Sequence, residues 1–236
     1  MKELQEKLKN FYVGGVQKFS LMDYRGMLSC IVFTQGCNFR CGYCHNPELA
    51  DFITDTLAVD GIIEFLKTRQ GKLDAVVITG GEPTLQESLF DFITEIKNLG
   101  FLVKLDTNGT KPSILSELLK NNLLDYIAMD VKAPFYKYKE ITNSDVDVGC
   151  IKQSLDLIKN SKIEHEFRTT VVKEQLSIED IFQIASETKG SRHYFQKFVF
   201  SKHVDEKFRY KSTYSDEEFE NIKFMLDQNG FNCFIR

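Results

Sequence analysis

Ser29-Cys30-Ile31-Val32-Phe33-Thr34-Gln35-Gly36-Cys37-Asn38-Phe39-Arg40-Cys41-Gly42-Tyr43-Cys44 joins two unlike halves. Ser29–Thr34 is a short apolar run that reads as a buried strand. Gln35-Gly36 turns the chain out of it, and three cysteines follow at the spacing C-x3-C-x2-C. The thiols therefore share one short loop at the C-terminal end of a strand. Three thiolates on one loop can hold three irons of a 4Fe–4S cluster and leave the fourth iron open. Structural zinc is the rival reading, but zinc ribbons usually pair C-x2-C motifs with a fourth ligand close by. His45 abuts Cys44 too closely to make a comfortable fourth corner, and Cys30, Cys150 and Cys233 pair with nothing at metal-type spacing.

Outward from this stretch, short apolar runs alternate with amphipathic ones. Upstream, residues 2–10 are helix-prone with Leu4 and Leu8 on one face, and Gly14–Ser20 reads as a first strand. Downstream, Asn46-Pro47 is expected to stop any early helix. Helices are predicted over Thr56–Arg69 with Thr56 as N-cap, Ser88–Leu99 with Gly100 as the C′ residue, Ser113–Lys120, Val148–Asn160, Ser177–Lys189 and Ser215–Asn229. Strands are predicted over Ala75–Thr79, Phe101–Leu105, Asp125–Met129, Glu164–Val172, His193–Phe200 and Phe231–Ile235. Crossovers of this length favour parallel pairing, and short apolar strands favour a sheet covered on both faces. Six strand–helix units and a last strand fall short of the eight units of a closed barrel. The expected fold class is α/β, a partial, open (β/α)6 TIM-like barrel. No repeat, low-complexity tract or linker divides the 236 residues, so one domain is expected, with 1–28 an N-terminal extension and first strand and 29–236 the barrel core.

The polar motifs share one position. The cysteine loop, Gly80-Gly81-Glu82-Pro83-Thr84, Asp106-Thr107-Asn108-Gly109-Thr110 and Asp130-Val131-Lys132 each follow a strand's C-terminal end. In a parallel α/β barrel those ends lie on one face, where sites are built. Each motif has a plain structural reading as well: a tight glycine turn, an Asx-capped turn, a solvated ion pair. Arg168 falls mid-strand, a costly place for a charge unless it is paired or faces a pocket. Phe135–Val148 is the one loop long enough to cover anything. Its Phe135, Tyr136 and Tyr138 either fold inward or anchor a partner.

Composition bounds the rest. A hydrophobic content of 42% supports a full core, and no apolar run reaches membrane-span length. A net charge of −4 gives no basic field for nucleic acid. Six cysteines and no secretory leader make a reducing cytoplasm the expected compartment. His165, His193 and His203 read as structural or surface residues, and Cys30 as core.

The C-x3-C-x2-C loop, with the GGEP turn a strand and a helix later, resembles the radical S-adenosylmethionine (SAM) superfamily over nearly the whole chain. The resemblance implies Cys37, Cys41 and Cys44 as ligands of one 4Fe–4S cluster. It implies Gly80, Gly81 and Glu82 as the motif that binds the amino group of SAM, and backbone atoms of Tyr43 against adenine. Asp130, Val131 and Lys132 match a D-x-K that contacts SAM's ribose and carboxylate in glycyl-radical-activating members. Arg168 matches an arginine that holds the carboxylate, and Gln196 stands where some members have a histidine. Asp106 and Asn108 join this cofactor-binding set, and Asp106 with Asp130 resembles a monovalent-cation site beside SAM. Cys44-His45-Asn46 resembles the same activases and brings in His45. No catalytic side chain beyond the cluster–SAM unit is implied.

Ser20–Asn46, Gly80–Gln86 and Tyr194–Phe198 are similar to the short activating enzymes of anaerobic ribonucleotide reductase. That similarity implies reductive cleavage of SAM and abstraction of a glycine hydrogen from a glycyl radical enzyme, with flavodoxin or ferredoxin as reductant. Two other functions stay in play. One is a 7-carboxy-7-deazaguanine synthase acting on a pterin, which typically has Cys-Asp-Thr where this chain has Cys44-His45-Asn46. The other is an iron–sulfur electron carrier or scaffold without SAM chemistry, which would not need the GGEPT and D-x-K motifs.

Overall fold

The structure is a computed structural model that describes residues 6–52 and 55–236. Its strands are β1 (Val13–Ser20), β2 (Ser29–Thr34), β3 (Ala75–Gly80), β4 (Leu102–Thr107), β5 (Tyr126–Asp130), β6 (Glu164–Val171), β7 (His193–Lys197) and β8 (Cys233–Ile235). They form one sheet in sequential order. β1 pairs antiparallel with β2, and every pair from β2 to β8 is parallel. β1 and β8 are the two ends of the sheet and do not pair with each other, so the barrel is open, as the count of units predicts.

The crossover helices are α1 (Val59–Lys67), α2 (Leu89–Asn98), α3 (Pro112–Lys120), α4 (Val148–Lys159), α5 (Ile178–Glu187) and α6 (Asp216–Gln228). Their apolar stripes pack on the outer face of the sheet. Ile63, Leu66, Phe92, Ile93, Ile96, Leu115, Leu118 and Phe219 are at most 2% exposed. A second, smaller cluster fills the barrel's inner face: Ile31, Ala75, Val77, Tyr126 and Ala128, with Tyr24 of the β1–β2 connection against Tyr126 at 5.4 Å. This alternation is the period-two signature of a strand, and it leaves the inward ends of β4, β5 and β6 to charged residues.

Several local expectations are corrected. Asn46-Pro47 starts a helical turn, Pro47–Ala50, with proline at N1, where its missing N–H is no loss. Thr56 does not cap α1: its hydroxyl accepts from Gln35 Nε2, and Ala58 holds the N-cap position. Phe135–Val148 is not an open loop. Phe135–Lys137 and Tyr138–Thr142 form consecutive helical turns, Tyr138 is fully buried, and of the three aromatics only Tyr136 is exposed. The helix expected over 2–10 lies partly outside the described residues; Glu6–Leu8 are helical and Leu8 is buried. Gly100 ends α2 at φ +87° as expected, and Ser177 and Ser215 form reciprocal capping boxes with Asp180 and Glu218.

Candidate active site

The cysteine loop is clamped by main-chain bonds on several sides. Gly36 N donates to Leu49 O at 2.7 Å, Cys37 N to Ala50 O at 3.3 Å, and Glu82 N to Gly36 O at 2.7 Å. Arg40 N donates to Thr142 O at 2.8 Å, and Asp205 N donates to Gly42 O at 3.2 Å. The Arg40 guanidinium folds back on the carbonyls of Cys37 and Phe39 and pairs with Asp51. The closest backbone approach is at Gly81, where a Cβ would stand 2.1 Å from Gly36 O. Gly81 therefore brings the β3 turn against the cysteine loop itself. Gly81→Val would displace that loop.

Glu82, at the edge of the cavity, is 1% exposed, and its carboxylate is engaged by the chain's own donors. Oε1 accepts from Thr84 N, Thr84 Oγ1 and Thr107 Oγ1, and Oε2 from Asn108 N. Burial pushes this carboxyl up, against the pull of those donors. Asn108 is engaged too: its Oδ1 accepts from Thr110 N and Oγ1, and its Nδ2 donates to Asn38 Oδ1 at 2.9 Å. Asn38 in turn donates to Thr110 Oγ1. Glu82, Asn108 and Asn38 thus staple the ends of β3 and β4 to the cysteine loop. The sequence places Asn38 in the cysteine loop and Thr110 in the turn after β4, but nothing in it announces that the two meet.

Beside this staple runs a ladder of charges. Lys104 Nζ lies 3.1 Å from Asp106 Oδ1, an oxygen with no hydrogen bond aimed at it. Arg168 donates from NH1 to Asp106 Oδ2 at 3.1 Å and from Nε to Asp130 Oδ1 at 2.9 Å. Lys132 Nζ donates to Asp130 Oδ2 at 3.0 Å. Burial alone would raise Asp130, but Arg168 and then Lys132 hold its carboxyl down at about 2. Burial likewise opposes the charge on Lys132 and on Arg168, and the carboxylates outweigh it, so both stay protonated. The monovalent cation expected beside Asp106 and Asp130 finds no support: one guanidinium already bridges the two carboxylates.

Cysteine loop, GGEP turn and ladder open on one cavity of about 530 Å³. Its wall includes Cys37, Cys41, Tyr43 and Cys44, then Gly80, Gly81, Glu82, Asp106 and Asn108, and then Asp130 and Lys132. Four expected site residues are not in the wall. Arg168 stands behind Asp106 and Asp130. Val131 is fully buried, its N–H bonded to Arg168 O and its carbonyl to Thr169 Oγ1. His45 is exposed and faces Ser201 Oγ at 3.3 Å. Gln196 is half-buried on β7, opposite Thr170. His203 is exposed, in keeping with a surface reading, and also lines the cavity.

The donor set suits a cubane cluster. Burial pushes the Cys37 thiol up to about 11 and also raises Cys41, which Lys132 pulls the other way. Thiols held neutral by desolvation bind iron by releasing protons. Among the described residues no three Cys, His, Asp or Glu side chains converge on a single ion; a cubane takes one thiolate per iron, so its ligands need not converge on a point.

Comparison with known proteins agrees with this geometry. Residues 31–187 match the Radical SAM superfamily. A protein of Methanocaldococcus jannaschii is 39% identical over 84% of both chains, and carries the provisional name of glycyl-radical enzyme activating enzyme. A probable GTP 3′,8-cyclase of Saccharolobus solfataricus is 29% identical over 74% of this chain, which spans 60% of that protein. Among solved structures, Streptococcus suis SuiB bound to S-adenosylmethionine superposes on the whole chain with a TM-score of 0.70 at 15% identity; this chain spans about half of it, 53%. Escherichia coli QueE superposes over 98% of both chains with a TM-score of 0.56 at 14% identity. At such identities the superpositions show the fold alone, a barrel shared by radical SAM enzymes. By its matched residues, its fold and its three-cysteine cavity, the chain belongs to the radical SAM superfamily, whose members take a 4Fe–4S cluster and SAM.

Proposed function

We propose that this chain is an activase that installs a glycyl radical on a partner protein, with anaerobic ribonucleotide reductase as the partner class. The observation that carries the reading is the similarity at 39% over 84% of both chains to a provisionally named glycyl-radical enzyme activating enzyme. It is supported by a cavity that joins three cysteines to a charge ladder. Cys37, Cys41 and Cys44 hold the cluster. Lys132, backed by Arg168, receives the carboxylate of SAM, and main-chain atoms of Gly80 and Gly81 receive its amino group, since the Glu82 carboxylate is already saturated. Main chain at Tyr43 borders the adenine. When bound, the cluster and SAM supply the electron transfer and the hydrogen-abstracting species; the protein orients them and excludes water. A flavodoxin or ferredoxin in an anaerobic cytoplasm is the reductant.

The test has two stages. Anaerobic reconstitution should give about four irons per chain. That iron should be lost on changing Cys37, Cys41 or Cys44 to Ala, and kept on changing Cys150 or Cys233. Reduced protein, SAM and the reductase subunit should then give a glycyl doublet by electron paramagnetic resonance, absent when the partner's glycine is changed to alanine. Deoxyadenosine formed in step with a modified pterin would instead select the ring-contraction synthase. No deoxyadenosine at all would select the electron carrier.

A further inference from the structure

Lys104 enters the barrel from β4 below the cavity floor. It is 5% exposed, and its ammonium donates to Asp23 O at 2.5 Å and sits 5.8 Å from the Tyr126 ring. It does not line the cavity, whereas Asp106, Asp130 and Lys132 do. A lysine that touches no ligand space, in the middle of a barrel, needs an electrostatic account.

The ladder Lys104–Asp106–Arg168–Asp130–Lys132 holds three cations and two carboxylates. The nearby Glu166 is matched separately, by Arg236 at 3.0 Å and by the Tyr126 hydroxyl. Without Lys104 the other four groups sum to zero. With it they carry one surplus positive charge, and the end of the ladder that reaches open space is Lys132. That surplus favours an anion placed beside Lys132. Lys104 also decides how Asp106 is shared. By facing Oδ1 it leaves Oδ2 for Arg168 NH1, and so fixes the guanidinium that in turn fixes Asp130 and Lys132.

We propose that Lys104 is a positioning residue for the ligand's carboxylate. It makes the cavity end of the ladder electropositive and sets the orientation of Arg168 and Lys132 without touching the ligand. The inference rests on the reading that this cavity binds SAM.

The experiment is equilibrium binding to the reconstituted holoprotein, anaerobically and without reductant, with two probes: SAM, and its decarboxylated analogue, which keeps adenosine, sulfonium and amine but lacks the carboxylate. One unit charge removed from this buried ladder, at an intermediate dielectric, is worth about tenfold in affinity. Lys104→Met should therefore weaken SAM about tenfold without weakening the analogue, whose sulfonium and amine a buried cation only repels. Lys104→Gln, which keeps a donor for Asp23 O, should behave like Lys104→Met, and Lys104→Arg should restore SAM binding. The inference is overturned if either neutral variant binds SAM like the wild type, or loses both probes equally, which is what a purely structural lysine would do. A wild-type holoprotein that binds neither probe would overturn the SAM reading itself.

Discussion

Glu82 follows two glycines at a strand end, and in sequence it looks like a ligand-binding residue. In the folded chain its carboxylate is the knot between the ends of β3 and β4, accepting four bonds while fully enclosed. Removing a buried acceptor leaves its donors unsatisfied, at about 1–3 kcal/mol per orphaned group. Glu82→Ala is expected to lower stability by about 3 kcal/mol or more. Glu82→Gln should lower it less, because an amide oxygen can still accept. Urea unfolding of the two variants checks the order, and equal losses would mean that the bonds an amide oxygen can keep contribute nothing. Of the charged residues around the cavity the sequence singled out Glu82, Asp106, Asp130 and Lys132, because strand-end turns and a D-x-K are chemical statements in themselves; it passed over Arg40, Asp51 and Asp205, and the mid-strand Arg168 stands behind the wall. The sequence could not reveal the pairing of Asn38 with Thr110, or the part played by Lys104. Their roles depend on which strand ends become neighbours, and a single asparagine or lysine in a polar turn or short strand carries no mark of that.

At the scale of elements, the segment after β7 is the clearest tertiary device. Residues 198–214 form no long helix or strand, yet they lean on the cysteine loop. Phe208 is buried between Phe198 and Tyr43, and a Cβ on Gly42 would meet its ring at 2.2 Å. Gly42→Val is therefore expected to unseat Phe208 and cost about 1–3 kcal/mol, the usual range for overpacking. The check is a double-mutant cycle by urea unfolding. In a Phe208→Ala background the same substitution should cost markedly less, and an undiminished cost would mean that the ring and the glycine are not in contact. Strands and most helices were legible because apolar runs and 3.6-residue stripes are local signals. The misjudged ends were places where a side chain had a distant partner, as Thr56 has Gln35. The turns over Phe135–Thr142 were missed because Tyr138 is drawn inward by Phe39 and by the Lys132 N–H, neither of them near it in a helical pattern.

For the molecule as a whole, acid is the sensitive variable. His193 is 1% exposed on β7, between the hydroxyls of Thr169 and Thr188. Burial holds its pKa down at about 3, against the opposing pull of Asp130. A folded pKa below the unfolded value means that the unfolded chain binds the extra proton. His193's contribution is then complete above about pH 6.5 and is lost as the pH falls from there toward about 3. Asp130, held at about 2, acts in the same direction at lower pH. Unfolding free energy should fall by up to about 1.4 kcal/mol per pH unit through the histidine's window. His193→Gln should flatten that slope between pH 6.5 and 4. Urea midpoints measured across the range decide the matter, and an unchanged slope in the variant would place the acid sensitivity elsewhere.

The bond from Asp205 N to Gly42 O also has a consequence in time. The sheet is laid down in chain order, so most walls of the cavity can assemble as the polypeptide leaves the ribosome, each strand beside the one before. The cysteine loop is the exception. Its thiols emerge early, while the segment that braces Gly42 and Tyr43 lies about 160 residues later, a delay of about 10–30 s at ordinary rates of synthesis. For that interval the nascent chain carries a thiol-bearing loop without its last brace, and the brace arrives only after every strand from β2 to β7 has been made.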